Sequence, residues 1–145
     1  FDDINLLSRE DRASLENATN ISESANFIKN FSKQHNEQIG ESGSRLSGGQ
    51  KQLIGIARAL YRDCDILVLD EATNAMDIDL EKKIFHNITK SIDQTTLFVT
   101  HKPNLLKFVH KIIIMDQGAI SDIGTYDDLL KRNTFLQKML AGANS

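Results

Sequence analysis

The amino-acid sequence predicts an α/β domain with parallel strands behind a polar, mainly helical front. Three observations carry that prediction. Residues 66–69 (Ile-Leu-Val-Leu) form an unbroken, partly β-branched apolar run, as expected of a strand covered on both faces. A helical pattern over residues 79–91 then leads into a second strand-like run at 95–100, which together make a βαβ unit with parallel strands and a right-handed crossover. Residues 1–45 are polar and read mainly as helix, so the chain divides into a helical front of about 1–62 and an α/β back of about 63–145.

In chain order, Ser8 with Asp11 forms a capping pair that opens a short first helix. Ala25, Phe27, Ile28 and Phe31 supply the apolar side of a second helix predicted over 22–33. Residues 34–45 are rich in Gly, Ser, Asn and Glu and read as a loop. Ser47 with Gln50 three residues later has the form of a capping box, and the helix it opens runs to about Tyr61. Leu53, Ile56, Ala57 and Leu60 recur at helical spacing and should face a core. After the βαβ unit come a turn at Pro103 and a short helix near 105–108. Two strands at 111–115 and 119–123 flank Asp116-Gln117-Gly118, a hairpin signal. Thr125 with Asp128 caps a further helix, and 135–140 forms a last one.

Bulk composition bounds the function. The chain has 145 residues, of which 40% are hydrophobic and 26% charged, enough for one modest soluble domain with a real core. A net charge of -3 gives no electrostatic reason to expect nucleic acid as a partner. The single cysteine, Cys64, excludes an internal disulfide and a cysteine-based zinc site, and reads as a small buried residue before a strand. The run Ile112-Ile113-Ile114-Met115 is strand-sized, and no apolar run approaches the length of a bilayer span. The chain opens on Phe1, and the expectation is a piece of a longer protein.

The chemistry concentrates in two places. Ser47, Gly48 and Gly49 open a helix, where unpaired backbone N–H groups and the positive end of the dipole favour an anion. Glycines let backbone approach phosphate oxygens. Two of them in a first turn cost helix stability, which argues against a merely well-capped helix. Asp70 and Glu71 follow the buried strand at its C-terminal end, the edge where ligands bind in α/β sheets. One carboxylate there can hold Mg²⁺ and the other can orient or deprotonate water; a solvated pair capping the next helix is the plainer alternative. His101, just past the next parallel strand, falls on the same edge as a candidate γ-phosphate sensor. His35, His86 and His110 have no such setting, and Arg58 reads as structural, paired with a nearby carboxylate. The phosphate-gripping pattern G-x-x-x-x-G-K-[ST] does not occur: Gly43 to Gly48 continues with Gly49-Gln50 and has no lysine.

These residues resemble the ATP-binding cassette (ABC) ATPases. Leu46-Ser47-Gly48-Gly49-Gln50 is identical to that family's signature motif, and Ala57-Arg58-Ala59-Leu60 resembles the helix after it. Residues 66–70 resemble the Walker B strand, with Glu71 at the position of the catalytic base and His101 at that of the switch histidine. Asn74-Ala75-Met76-Asp77 resembles the D-loop, with Asn and Met in place of the commoner Ser and Leu. Gln38-Ile39-Gly40-Glu41-Ser42-Gly43 is similar to the exporter loop that touches the membrane domain.

The resemblance implies a partial P-loop NTPase (RecA-like) core with parallel strands, preceded by the ABC helical subdomain. It implies ATP and Mg²⁺ as cofactors and a head-to-tail dimer with a second nucleotide-binding domain. In that dimer Ser47, Gly48, Gly49 and Gln50 would bind ATP held by the partner, and Asp77 would help organise the interface. Asp70 would serve Mg²⁺, Glu71 would polarise water and His101 would hold the γ-phosphate. A transmembrane domain in the same polypeptide and a place on the cytoplasmic face of a membrane follow, with export as the function. The Walker A loop, the adenine-stacking aromatic and the Q-loop glutamine are absent from these residues, so the isolated chain is expected to hydrolyse ATP negligibly. The alternatives are a soluble ABC ATPase of DNA repair or translation, and a non-catalytic module lending its signature to a partner's ATP.

Overall fold

The computed structural model describes residues 8–62 and 64–143. The expected extents 1–62 and 63–145 thus include residues 1–7, 63 and 144–145, which lie outside the described residues. Two compact units result, residues 1–99 and 100–145.

The first unit opens on α1 (Arg9–Ile21), whose N-cap Ser8 accepts from the Asp11 amide as the capping pair predicts. At 13 residues it is longer than the short helix expected. The second helix is much shorter than predicted: α2 covers only Ala25–Ile28. Beyond it the amides of Asn30 and Phe31 bond three residues back, to Phe27 and Ile28, and the chain tightens into turns. The loop before Ser47 carries two short 3₁₀ turns, Gln34–Asn36 and Glu41–Gly43.

Helix α3 (Gly48–Tyr61) begins with the full capping box at Ser47 and Gln50. Its buried face, Leu53, Ile56 and Ala57, is the predicted one, while Leu60 is half-buried against the same cluster. Strand β1 (Ile66–Asp70), helix α4 (Ile78–Ser91) and strand β2 (Thr95–Val99) form the βαβ unit, and the two strands are parallel in the register Ile66 to Thr95 through Asp70 to Val99. The core joins Ile21 of α1, Leu53 and Ile56 of α3, Leu67 and Leu69 of β1, Met76, and Ile84 and Ile88 of α4. Ile84 and Ile88 are wholly buried, each worth about 1.5–3 kcal/mol. Phe85 stacks on Phe98 at 4.1 Å and ties α4 to β2.

The expectation that β1 is covered on both faces is corrected. Leu67 and Leu69 are buried, but Ile66 and Val68 are 61% and 55% exposed, as are Leu97 and Val99 at 48% and 43% on β2. A two-stranded sheet whose helices and core lie on one side leaves its other apolar side open. Cys64 is half-buried rather than buried. Arg58 is exposed and has no ion pair among the described residues, so the structural pairing expected of it is absent.

In the second unit the short helix after Pro103 is a 3₁₀ helix, Pro103–Phe108. Strands β3 (Ile112–Asp116) and β4 (Ala119–Gly124) form the predicted antiparallel hairpin. Its two-residue loop has positive φ at both Gln117 (46°) and Gly118 (79°), the geometry that matches strand twist. Helix α5 (Tyr126–Arg132) is capped by Thr125, and α6 (Thr134–Ala143) extends the last helix at both ends. Leu129 and Leu136 bury against Ile112 to form this unit's small core. Among the described residues, no helix is long and apolar enough to cross a membrane.

Candidate functional site

Local chemistry shapes the glycine turn. Ser47 Oγ accepts the Gln50 amide at 3.2 Å, and Gln50 Oε1 accepts the Ser47 amide at 3.0 Å. The Gln50 carbonyl oxygen therefore serves the cap. Ser47 and Gly48 are exposed, and a methyl group built on Gly48 would meet nothing within 4 Å. That open backbone at a helix N-terminus suits an approaching phosphate. Gly49 differs: the same methyl would lie 3.3 Å from the Ala75 carbonyl oxygen. Its missing side chain thus serves close packing on the loop after β1.

That loop, 71–77, carries Glu71 and Asp77. Asp70 ends β1 in an exposed position, and the Glu71 amide extends the parallel ladder by donating to Val99 O at 3.0 Å. Glu71 then turns the chain with φ of 46°, a left-handed conformation that non-glycine residues adopt only where surroundings enforce it. Asn74 reaches back, its amide nitrogen donating to Glu71 Oε2 at 2.6 Å. Thr73 is buried and donates its hydroxyl to the buried Glu81 carboxylate on α4. Gln52 of α3 accepts the Ala75 amide on its Oε1 at 3.1 Å. Asp77 caps α4, accepting the Leu80 amide at 2.9 Å.

Ser47, Gly48, Gly49, Gln50, Asp70, Glu71 and Asp77 therefore share one unit, in which the first turn of α3 meets the carboxylate loop at Ala75. His101 belongs to the second unit and is exposed. Among the described residues, no group of three or more His, Cys, Asp or Glu is placed to hold a metal ion. A lone strand-end carboxylate such as Asp70 fits Mg²⁺, which keeps several waters and takes one or two carboxylates with substrate phosphates.

Sequence reasoning placed Asn74 only within the stretch resembling the D-loop, not against Glu71, and it missed Gln52 and the Thr73–Glu81 pair. It also missed Glu23, buried at positive φ (61°), whose carboxylate takes Lys83 Nζ at 2.8 Å, Asn87 Nδ2 at 2.8 Å and Asn26 Nδ2 at 2.6 Å. The sequence around Glu23, a charge between Ser22 and Ser24, gave no signal that it would be buried.

Comparison with known proteins gives this arrangement its class. Residues 4–74 match the family model described as ABC transporter. The ATP-dependent lipid A-core flippase of Cupriavidus pinatubonensis is 36% identical over 124 residues, covering 85% of this chain and 21% of the flippase. The lactococcin-A transport/processing ATP-binding protein LcnC of Lactococcus lactis subsp. lactis is 36% identical over 137 residues, 92% of this chain and 19% of LcnC. ABC transporter B family member 14 of Arabidopsis thaliana is 36% identical over 132 residues, 88% of this chain and 11% of its own length. A solved bacterial Atm1-family ABC exporter with ATP bound superposes with a TM-score of 0.83 at 31% identity, over 92% of this chain and 24% of that one. The chain belongs to the ABC transporter family and has the α/β, P-loop NTPase type of fold found in exporter nucleotide-binding domains. It spans about a tenth to a quarter of the length of the proteins it matches.

Proposed function

We propose that this chain is the signature-bearing helical subdomain (about 1–62) and the second half of the catalytic core (about 63–145) of an exporter's ATPase. Ser47, Gly48, Gly49 and Gln50 bind the terminal phosphate of ATP held by a second nucleotide-binding domain in a head-to-tail dimer, and Asp77 organises that interface. Asp70 holds Mg²⁺, whose charge offsets that gathering on the transferred phosphoryl group. Glu71 accepts the proton of the attacking water, and His101 holds the γ-phosphate in its own cassette. The assembly sits on the cytoplasmic face of a membrane, joined to a transmembrane domain of the same polypeptide. Alone, the chain hydrolyses ATP negligibly.

The observation that carries this reading is the open, exposed Gly48 at a capped helix start whose next residues pack on the carboxylate loop. The exposed apolar side of β1 and β2 supports membership in a larger domain. The test is Mg²⁺-dependent ATP hydrolysis by the purified chain and its Glu71→Gln variant, each alone and mixed with a polypeptide carrying the missing Walker A half. The expected result is turnover only in the mixture, lost with Glu71→Gln. Turnover by the chain alone, or none in the mixture, overturns the reading.

A further inference from the structure

Ala75 is exposed, yet α3 meets its backbone at two atoms. Its amide donates to Gln52 Oε1 at 3.1 Å across 23 residues of sequence. Its carbonyl oxygen lies 3.3 Å from where a Gly49 side chain would begin, closer than a side-chain carbon fits without a small shift. Positions 49 and 52 are one turn apart on the same side of the helix, so both contacts come from one face. Because a backbone N–H can only donate, the atom of Gln52 that receives it must be the carbonyl oxygen. The adjacent residue, Asn74, grips the Glu71 carboxylate at 2.6 Å. An ionised carboxylate only accepts, so Asn74 presents its nitrogen. The chain of contacts runs from the first turns of α3, through Gln52 and Gly49 to Ala75, and through Asn74 to Glu71.

We propose that Gln52 is a positioning residue for Glu71, fixing the Asn74–Ala75 segment so that the Asn74 amide holds the carboxylate in one orientation relative to the glycine turn. This rests on the reading of Glu71 as the general base. The loop has other anchors: Thr73 bonds Glu81, and Met76 is buried in the core. Backbone bonds also hold the neighbours of Ala75, the Asn74 amide donating to the Glu71 carbonyl and the Met76 amide to the Thr73 carbonyl, each at 3.1 Å, while the Ala75 amide donates to Gln52. Removal of that last bond therefore loosens Ala75, the neighbour of the Asn74 whose side chain grips Glu71.

Two substitutions separate the hydrogen bond from packing. Gln52→Met keeps the length of the side chain and removes the acceptor; Gln52→Glu keeps an acceptor oxygen in its place. In this chain, amide hydrogen exchange at Ala75 and the Asn74 side-chain amide signals are followed by NMR, with Leu53 and Ile56 as controls for folding. The expected result is exchange at Ala75 about fivefold faster in Gln52→Met, with shifted Asn74 signals, and both restored in Gln52→Glu. In the assembly that hydrolyses ATP, kcat falls about fivefold in Gln52→Met with KM unchanged and recovers in Gln52→Glu. Unchanged exchange and unchanged Asn74 signals in Gln52→Met overturn the proposal, as does equal disruption by both variants. Absence of wild-type hydrolysis would sink the reading of Glu71 as a base, and the exchange data would still decide what Gln52 holds.

Discussion

Replacing each glycine of the signature turn by alanine separates two reasons for having glycine there. Both residues lie in the first turn of α3, where alanine is favoured over glycine by about 0.5–1 kcal/mol on backbone entropy. At Gly48 the added methyl meets nothing within 4 Å, so that gain stands. At Gly49 it meets the Ala75 carbonyl oxygen at 3.3 Å, and the helix or the loop must give by a few tenths of an ångström. Crowding of that kind costs about 1–3 kcal/mol and outweighs the gain. Gly48→Ala should therefore raise stability by up to about 1 kcal/mol, and Gly49→Ala should lower it by up to about 2 kcal/mol. The assay is urea unfolding followed by circular dichroism, comparing midpoints at constant slope. The more stable Gly48→Ala variant should nonetheless fail to support nucleotide hydrolysis in the mixed assembly, since its methyl stands where phosphate is to approach. Equal stabilisation by the two substitutions would refute the packing of Gly49 on Ala75, and full activity of Gly48→Ala would refute the open-backbone argument.

Three further outcomes follow from named contacts. Thr73→Val keeps shape but deprives the buried Glu81 carboxylate of a hydroxyl donor, and should cost about 1–3 kcal/mol in the same unfolding assay. Asp122 sits below the usual 3.8 chiefly because the Asn133 side chain donates to it, helped by its contacts with the Ile123 amide and Arg132 and opposed by desolvation. A depressed folded-state value means its contribution is present above pH 3.8 and is lost as pH falls through the lower folded value. An acid titration of ellipticity should show this loss, and Asp122→Asn should remove that component. Finally, Ile66, Val68, Leu97 and Val99 leave one side of the parallel pair apolar and open, so the chain should self-associate at high concentration. Val68→Lys should shift sedimentation toward monomer; a wild-type chain that stays monomeric throughout refutes this.

What the sequence determined by itself were the features set by near neighbours along the chain. The Ser8, Ser47 and Thr125 caps each depend on a partner three residues away, and all three form. The hairpin at Gln117-Gly118 and the parallel pairing of β1 with β2 were legible for the same reason, from turn chemistry and from a helix between two apolar runs. The glycine turn from Ser47 to Gln50, the strand-end Asp70 and Glu71, and the stretch 74–77 could be picked out because they are short stretches with local geometry. Tertiary structure decided the rest. An apolar run of four residues reads alike whether one face or two are covered, so the open side of β1 depended on which neighbours exist. The short α2 reflects turns formed after Ile28, which outweigh the helical spacing of its apolar residues. Gln52, Asn74, Thr73 with Glu81, and Glu23 were invisible as a constellation because no sequence spacing pairs them. Gln52 reaches Ala75 and Glu23 reaches Lys83 and Asn87 from distant elements, and the nearer bonds of Asn74 and Thr73 depend on how the loop after β1 folds. A polar side chain announces its charge or amide in the sequence, but only the fold says which buried or backbone group it must satisfy.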